Sequence, residues 1–237
     1  MNINNYKDFF TREYLMGPNS LKLLHELLLN APDAIPGGYV LDLGCGTGVT
    51  SLFLARETKA EKVFATDLWV DATSNWQRAQ NWAQPHKLIP IHADAHTLPF
   101  AHSFFQSIVS VDAYHYFGGE KGFFASKILP LIAPGGGILL AMPGIRDEAM
   151  HSAPLLQEWA GDESTLFHSP AWWTDHLAAE AEDITIRTYE SAHFQEVWED
   201  WFATGHEYAM NDKAFMTRGL DEMLTFVMME VRKDPSI

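Results

Sequence analysis

The run Val40-Leu41-Asp42-Leu43-Gly44-Cys45-Gly46-Thr47-Gly48 constrains this chain more than any other segment. An apolar, β-rich stretch ends in three glycines within five residues, and a helical pattern from about Val49 to Glu57 follows. Glycine accepts positive φ and carries no Cβ, so such a turn lets the main chain approach a ligand at the start of the helix. The spacing is G-x-G-x-G, whereas a dinucleotide turn needs G-x-G-x-x-G, and Val49 occupies the place of its third glycine. Asp42, just before the turn, would repel a pyrophosphate and attract an ammonium or sulfonium group. The charge pattern therefore favours a cationic, amino-acid-bearing cofactor. A nicotinamide-dependent dehydrogenase is the alternative it disfavours.

Beyond this turn, short apolar runs alternate with helical stretches. Strands are expected at Tyr39–Leu43, Lys62–Asp67, Leu88–Ala93, Ser107–Val111 and Gly136–Met142. Helices are expected from about residue 49 to 57, up to about Trp82, and from about Glu120 to Leu131. Such alternation indicates a doubly wound α/β fold, a mostly parallel sheet covered on both faces. Its ligands bind above the carboxyl ends of the strands. After about residue 145 the pattern loosens into helical stretches near 146–160, 170–181 and 194–210, with strands at Ile184–Tyr189 and Leu224–Val231. No linker or repeat divides the chain. It reads as one domain: residues 1–37 an N-terminal helical lid, 38–143 a cofactor-binding core, and 144–237 the part that shapes an acceptor pocket and completes the sheet.

The glycine turn resembles motif I of class I S-adenosylmethionine-dependent methyltransferases, closest to the type 11 small-molecule branch. The resemblance runs along residues 38–143 and rests on four motifs in order. Asp67, ending the second strand, matches the acidic residue that such enzymes use on the ribose hydroxyls. Ala93-Asp94-Ala95 matches the site that reads adenine. Leu129 to Leu139, with Pro134-Gly135-Gly136-Gly137, resembles the L-x-P-G-G turn before the fifth strand. The resemblance implies a Rossmann-like, seven-stranded sheet with its last strand antiparallel. It also implies S-adenosylmethionine as cofactor, S-adenosylhomocysteine as product, and a small-molecule acceptor. The implied cofactor set is Asp42, Gly44, Cys45, Gly46, Thr47, Gly48, Asp67, Leu68, Asp94 and Ala95, with Val111 and Asp112 near the homocysteine end. A non-catalytic cofactor-binding partner protein is a further alternative.

Methyl transfer by in-line displacement depends mostly on positioning, and a base helps when the acceptor must lose a proton. His115, in Ser110-Val111-Asp112-Ala113-Tyr114-His115-Tyr116-Phe117 after the fourth strand, is the candidate base because imidazole titrates near neutrality. A structural histidine in an aromatic loop is the other reading. This loop lacks the N-P-P-Y or D-P-P-Y signature of exocyclic-amine methylation. Together with a formal net charge of −15 and scattered basic residues, that disfavours a nucleic-acid substrate. His92, Asp94 and His96 alternate along a strand end, but Asp94 has a better role at adenine, so no metal is expected. Tyr6, Tyr14 and Met16 are candidates to close over the cofactor.

The single cysteine, Cys45, suits a reducing compartment. The first residues show no secretory signal and no run is apolar enough to span a bilayer, so a cytoplasmic protein without a membrane partner is expected. Five of the eight tryptophans lie after residue 145, an aromatic-rich half compatible with a homodimer.

Overall fold

Among the described residues, seven strands form a single sheet in the order β3-β2-β1-β4-β5-β7-β6. They are β1 (Gly38–Leu43), β2 (Ala60–Asp67), β3 (Leu88–His92), β4 (Phe105–Val111), β5 (Ile132–Ile145), β6 (Ile184–Glu190) and β7 (Leu224–Lys233). The structure, a computed structural model, describes residues 1–82 and 85–235. The last two residues of the expected back segment, 236–237, lie outside them. Strands β1 to β5 pair in parallel, and β7 inserts antiparallel between β5 and β6. The seven-stranded sheet and its antiparallel last strand agree with the sequence reading.

The central strands are apolar on both faces because helices cover both. One face packs against α1 (Ser20–Asn30), α2 (Val49–Glu57), α3 (Ala72–Gln80), α4 (Pro154–Ala160), α6 (Phe194–Ala203) and α7 (Glu207–Met216). The other packs against α5 (Pro170–Glu180) and the segment Phe124–Leu131. Buried hydroxyls inside β4 find carbonyl partners: Ser107 Oγ donates to Ala34 O and Ser110 Oγ to Leu43 O, both at 2.7 Å. The second of these ties the end of β4 to the end of β1, where the glycine turn begins.

Three expected elements differ. The helix expected over 120–131 is a single π-turn at Phe124–Ile128 followed by a 3-10 turn at Leu129–Leu131. Gly122 at φ +81° bounds it on one side and Pro130, which lacks an N–H, on the other. The Glu180 carboxylate accepts the otherwise orphaned N–H groups of Gly122 and Ala125. The helix expected over 194–210 is two helices, because Gly205 at φ +65° ends α6 and the His206 ring accepts the Tyr208 N–H to start α7. Strand β5 extends to Ile145, because β7 pairs with it from Gly137 through Ile145.

Helix α1 is core: Leu21, Leu23, Leu24 and Leu27 have no exposure. Asn19, equally buried, caps it by accepting the N–H groups of Leu21 and Lys22. Its side-chain amide donates to Asp200 Oδ2 at 2.7 Å, and its own N–H donates to Val197 O at 3.1 Å. One residue thus starts α1 and ties it to α6. Replacing it removes a cap and a hydrogen bond to a charged group, so Asn19→Ala is expected to cost about 1–2 kcal/mol. Urea unfolding of the two proteins measures the difference.

Candidate active site

A cavity of about 300 Å³ opens above the carboxyl ends of β1, β2 and β4. Its floor is the glycine turn. Gly44 (φ +73°) and Gly46 (φ +53°) both lie in the left-handed region. A Cβ on Gly44 would collide with the Ala113 methyl, and one on Gly46 would stand 3.1 Å from Met16 Sδ. The N–H groups of Gly44 and Cys45 both donate to Thr66 O, at 2.9 and 3.0 Å, bending the turn onto the end of β2.

Asp67 completes that bend. Its Oδ2 accepts the Gly46 N–H at 2.7 Å, and its Oδ1 accepts those of Trp69 and Val70 at 2.8 Å. Asn75, buried on α3, donates to Gly46 O at 2.9 Å. The loop is therefore held from both sides before any ligand arrives.

Of the expected cofactor set, Gly44, Cys45, Gly46, Thr47, Asp67, Leu68, Asp94, Ala95, Val111 and Asp112 line the cavity. Gly48 does not; at φ +84° it is the N-cap of α2. Asp42 departs from its expected role as a counter-charge to the ligand. It is fully buried away from the cavity, with Oδ2 accepting the hydroxyls of Thr50 at 2.7 Å and Ser51 at 2.5 Å. Desolvation pushes its carboxyl up to about 6. Burial likewise pushes the Cys45 thiol up, leaving it unreactive at neutral pH.

His115 also departs from expectation. Its neighbours Tyr116 and Phe117 line the cavity, but its own ring points the other way, buried between Tyr116 at 4.1 Å and Phe167 at 5.6 Å between ring centroids. Nδ1 has no partner, and burial holds the imidazole down to about 3. A neutral ring facing the core is poorly placed to take a proton from a ligand. The carboxyl group on this loop that does line the cavity is that of Asp112. It stands in left-handed backbone (φ +57°), its N–H donates to Ala141 O at 2.7 Å, and desolvation pushes its carboxyl up to about 7. Left-handed backbone at a residue other than glycine is strain of the kind that concentrates at working sites.

The cover comes from Tyr14, Met16, Gly17 and Pro18, in the segment before α1, with Ser20 at the first position of α1. Thr47 Oγ1 donates to Tyr14 O at 2.7 Å, fastening the segment to the glycine turn. A Cβ on Gly17 would collide with the Asp112 carboxylate. Tyr6 lies outside the cavity, packed on Phe53 and donating to Glu57. Sequence reasoning missed Gly17, Pro18, Trp69 and Tyr116. Trp69, 68% exposed, meets Tyr116 edge-on at 5.0 Å. A tryptophan two residues past the acidic end of β2 is the signal that could have marked it.

Asp94 Oδ1 accepts both the N–H and Nδ1 of His96, whose Nε2 lies 3.1 Å from Glu120, whereas His92 turns away to Leu68 O. The three alternating residues therefore do not converge on one ligand. Trp173, Trp198 and Trp201 are core.

The sheet order with an antiparallel β7 is that of the class I methyltransferase fold. Residues 40–136, which span the glycine turn and the first four strands, match the family model described as a methyltransferase domain. A curated fatty-acid O-methyltransferase from Mycolicibacterium smegmatis is 28% identical over 120 residues, 51% of this chain and 42% of the relative. The chain thus matches less than half the length of that relative. A solved putative sarcosine dimethylglycine methyltransferase from Galdieria sulphuraria superposes with TM-score 0.70 at 16% identity, covering 92% of this chain and 87% of that one. The 4+2 cyclase SpnF superposes with TM-score 0.69 at 17% identity, covering 89% and 80%. The last shows that this fold also carries other chemistry. Among the described residues, no helix is long and apolar enough to cross a membrane.

His115 gives a direct test of these burial relations. The folded chain refuses a proton there until about pH 3, whereas an unfolded chain takes one near 6.5. Stability from this group is whole above about pH 6.5 and is lost as pH falls toward 3, by at most about 1.4 kcal/mol per pH unit. His115→Phe fills the same slot without titrating. Urea titrations from pH 7 to 4.5 should show a shallower loss of stability in the variant than in the wild type.

Proposed function

We propose that this protein transfers the methyl group of S-adenosylmethionine to a small-molecule acceptor by in-line displacement. The observation that carries the reading is the cavity itself: a Cβ-free glycine cradle clasped by Asp67, with Asp94 and Asp112 also lining it. No lysine or arginine stands among the lining residues described. A phosphate-bearing dinucleotide would meet carboxylates without a cation to offset them, whereas a sulfonium and an ammonium are welcome there. The volume, about 300 Å³, falls at the small end of the range for small-molecule sites.

Asp67 would hold the ribose, Asp94 and Ala95 the adenine, the main chain from Gly44 to Thr47 the amino-acid portion, and Val111 and Asp112 the homocysteine end. Leu68 would pack beside the nucleoside. When bound, the cofactor supplies an electrophilic methyl on a sulfur that leaves as a neutral thioether. The chain's own part is to align the acceptor and exclude water. The segment 14–18 covers the site, in place of the helical lid read from residues 1–37. Residues 38–143 form the cofactor part, and the remainder shapes the acceptor entrance, with Trp69 and Tyr116 at the mouth. Asp112 takes the place of His115 as the group that accepts an acceptor proton. The same carboxylates disfavour anionic acceptors, so a neutral or cationic molecule is the expected substrate. We assign the reaction to the cytoplasm, consistent with a single buried cysteine, and a net charge of −15 supports a chain that leaves nucleic acids alone. Homodimer formation is consistent with its aromatic back half.

Calorimetry with S-adenosylhomocysteine and with NADH tests the cofactor. Binding of the first only, weakened roughly a hundredfold in Asp67→Ala, is the expected result, since two charge-assisted hydrogen bonds are lost at about 1.5–3 kcal/mol each. Heat from NADH alone would revive the dehydrogenase.

Once an acceptor that must lose a proton is found, the rate should rise with pH around 7, where Asp112 ionises. Asp112→Asn should flatten that profile and His115→Gln should leave it in place.

A further inference from the structure

Away from the cavity, three potential ligands converge where β5 leaves the sheet and α5 begins. Glu148, His151 and His168 each turn one ligand atom inward, and these atoms all lie within 4.8 Å of one another. Glu148 Oε2 is 3.1 Å from His151 Nε2 and 3.0 Å from His168 Nδ1. Ligand bonds of about 2.0–2.1 Å at a tetrahedral centre place neighbouring ligand atoms roughly 3.3–3.4 Å apart. Two edges of such a polyhedron are therefore already formed, and a small rotation of the half-exposed His151 closes the third.

The surroundings orient these ligands as an outer shell orients a metal site. The second carboxylate oxygen, Oε1, accepts the Ser169 N–H at 2.6 Å, which leaves Oε2 to face the histidines. The His168 ring lies flat on Trp172, 3.5 Å away with only 7° between planes, and this fixes its direction. The two imidazoles meet at 66° rather than stacking, so their nitrogen edges converge. Glu148 keeps 38% and His151 27% of its side-chain surface, so an ion has an open path.

We propose that Glu148, His151 and His168 form a site for a divalent ion of the zinc class, with water as the fourth ligand. Two imidazoles and one carboxylate are the donor set that borderline cations of this kind prefer, and hard cations such as magnesium prefer oxygen alone. On binding, each neutral imidazole offers the lone pair of the nitrogen that faces Glu148 and carries its single proton on the other ring nitrogen, so neither ring loses its proton. The ion would pin the segment leaving β5 to the start of α5. Phe167, next to His168, stacks on His115, whose ring packs tilted against the cavity residue Tyr116. The site is therefore placed to stiffen the wall of the cavity without entering it.

The test is titration of the untagged, metal-stripped full chain with zinc sulfate against a chromophoric chelator, repeated with cobalt(II) for its visible absorption. Expected is one equivalent bound at micromolar affinity or better, with the intense cobalt bands of a tetrahedral site. His151→Ala and Glu148→Gln should each weaken zinc binding about a hundredfold, and His102→Ala, a surface histidine outside the cluster, should change nothing. Circular dichroism of the metal-free variants establishes that both still fold. No stoichiometric binding to the wild type overturns the proposal. So does zinc affinity unchanged in His151→Ala and Glu148→Gln, which would assign the metal to scattered surface groups on this acidic chain.

Discussion

The carboxylate of Asp67 fastens the site together. One oxygen takes the Gly46 N–H and the other the N–H groups of Trp69 and Val70, so a single side chain joins the turn after β1 to the turn after β2. A glycine-rich turn is costly in conformational entropy because its residues have so many alternatives. Here the freedom is removed by fixed partners: Asp67 and Asn75 on Gly46, and Thr66 O on Gly44 and Cys45. The cradle is thus built before the ligand binds, and less ordering remains to oppose binding.

The second constraint is steric. Gly44 packs so closely on Ala113 that no side chain fits between them, which brings the loop after β4 against the loop after β1. Next to that contact the backbone of Asp112 lies in the left-handed region, and its carboxylate packs against Gly17. The covering segment is then held by Thr47 on one side and by the cap of Asn19 on the other. The floor, wall and cover of the cavity are consequently coupled through few residues, and a change at any of them reaches the others.

Much of this architecture was legible in the sequence. All seven strands lie where the apolar runs put them, and the glycine turn, Asp67 and the Asp94 segment meet at one cavity. These features are local: a strand's alternation, a glycine's permissiveness and the distance from one strand end to the next are written in consecutive residues. The failures share a cause. Asp42 was read as facing the ligand and His115 as a base, yet both point into the protein, because Thr50, Ser51 and Phe167 receive them. Helices 120–131 and 194–210 were read through Gly122, Pro130 and Gly205, where local chemistry overrides apolar periodicity.

The sequence by itself determined the sheet, its glycine cradle and the acidic group that clasps it, since these follow from backbone chemistry within short windows. Tertiary structure alone decided which side of a strand end each carboxylate and imidazole faces. It exchanged His115 for Asp112 at the cavity and laid residues 14–18 over it. It also gathered Glu148, His151 and His168 from across a 20-residue stretch. The physical reason is that exposure and convergence depend on which distant side chains pack nearby, and no spacing within one segment encodes that.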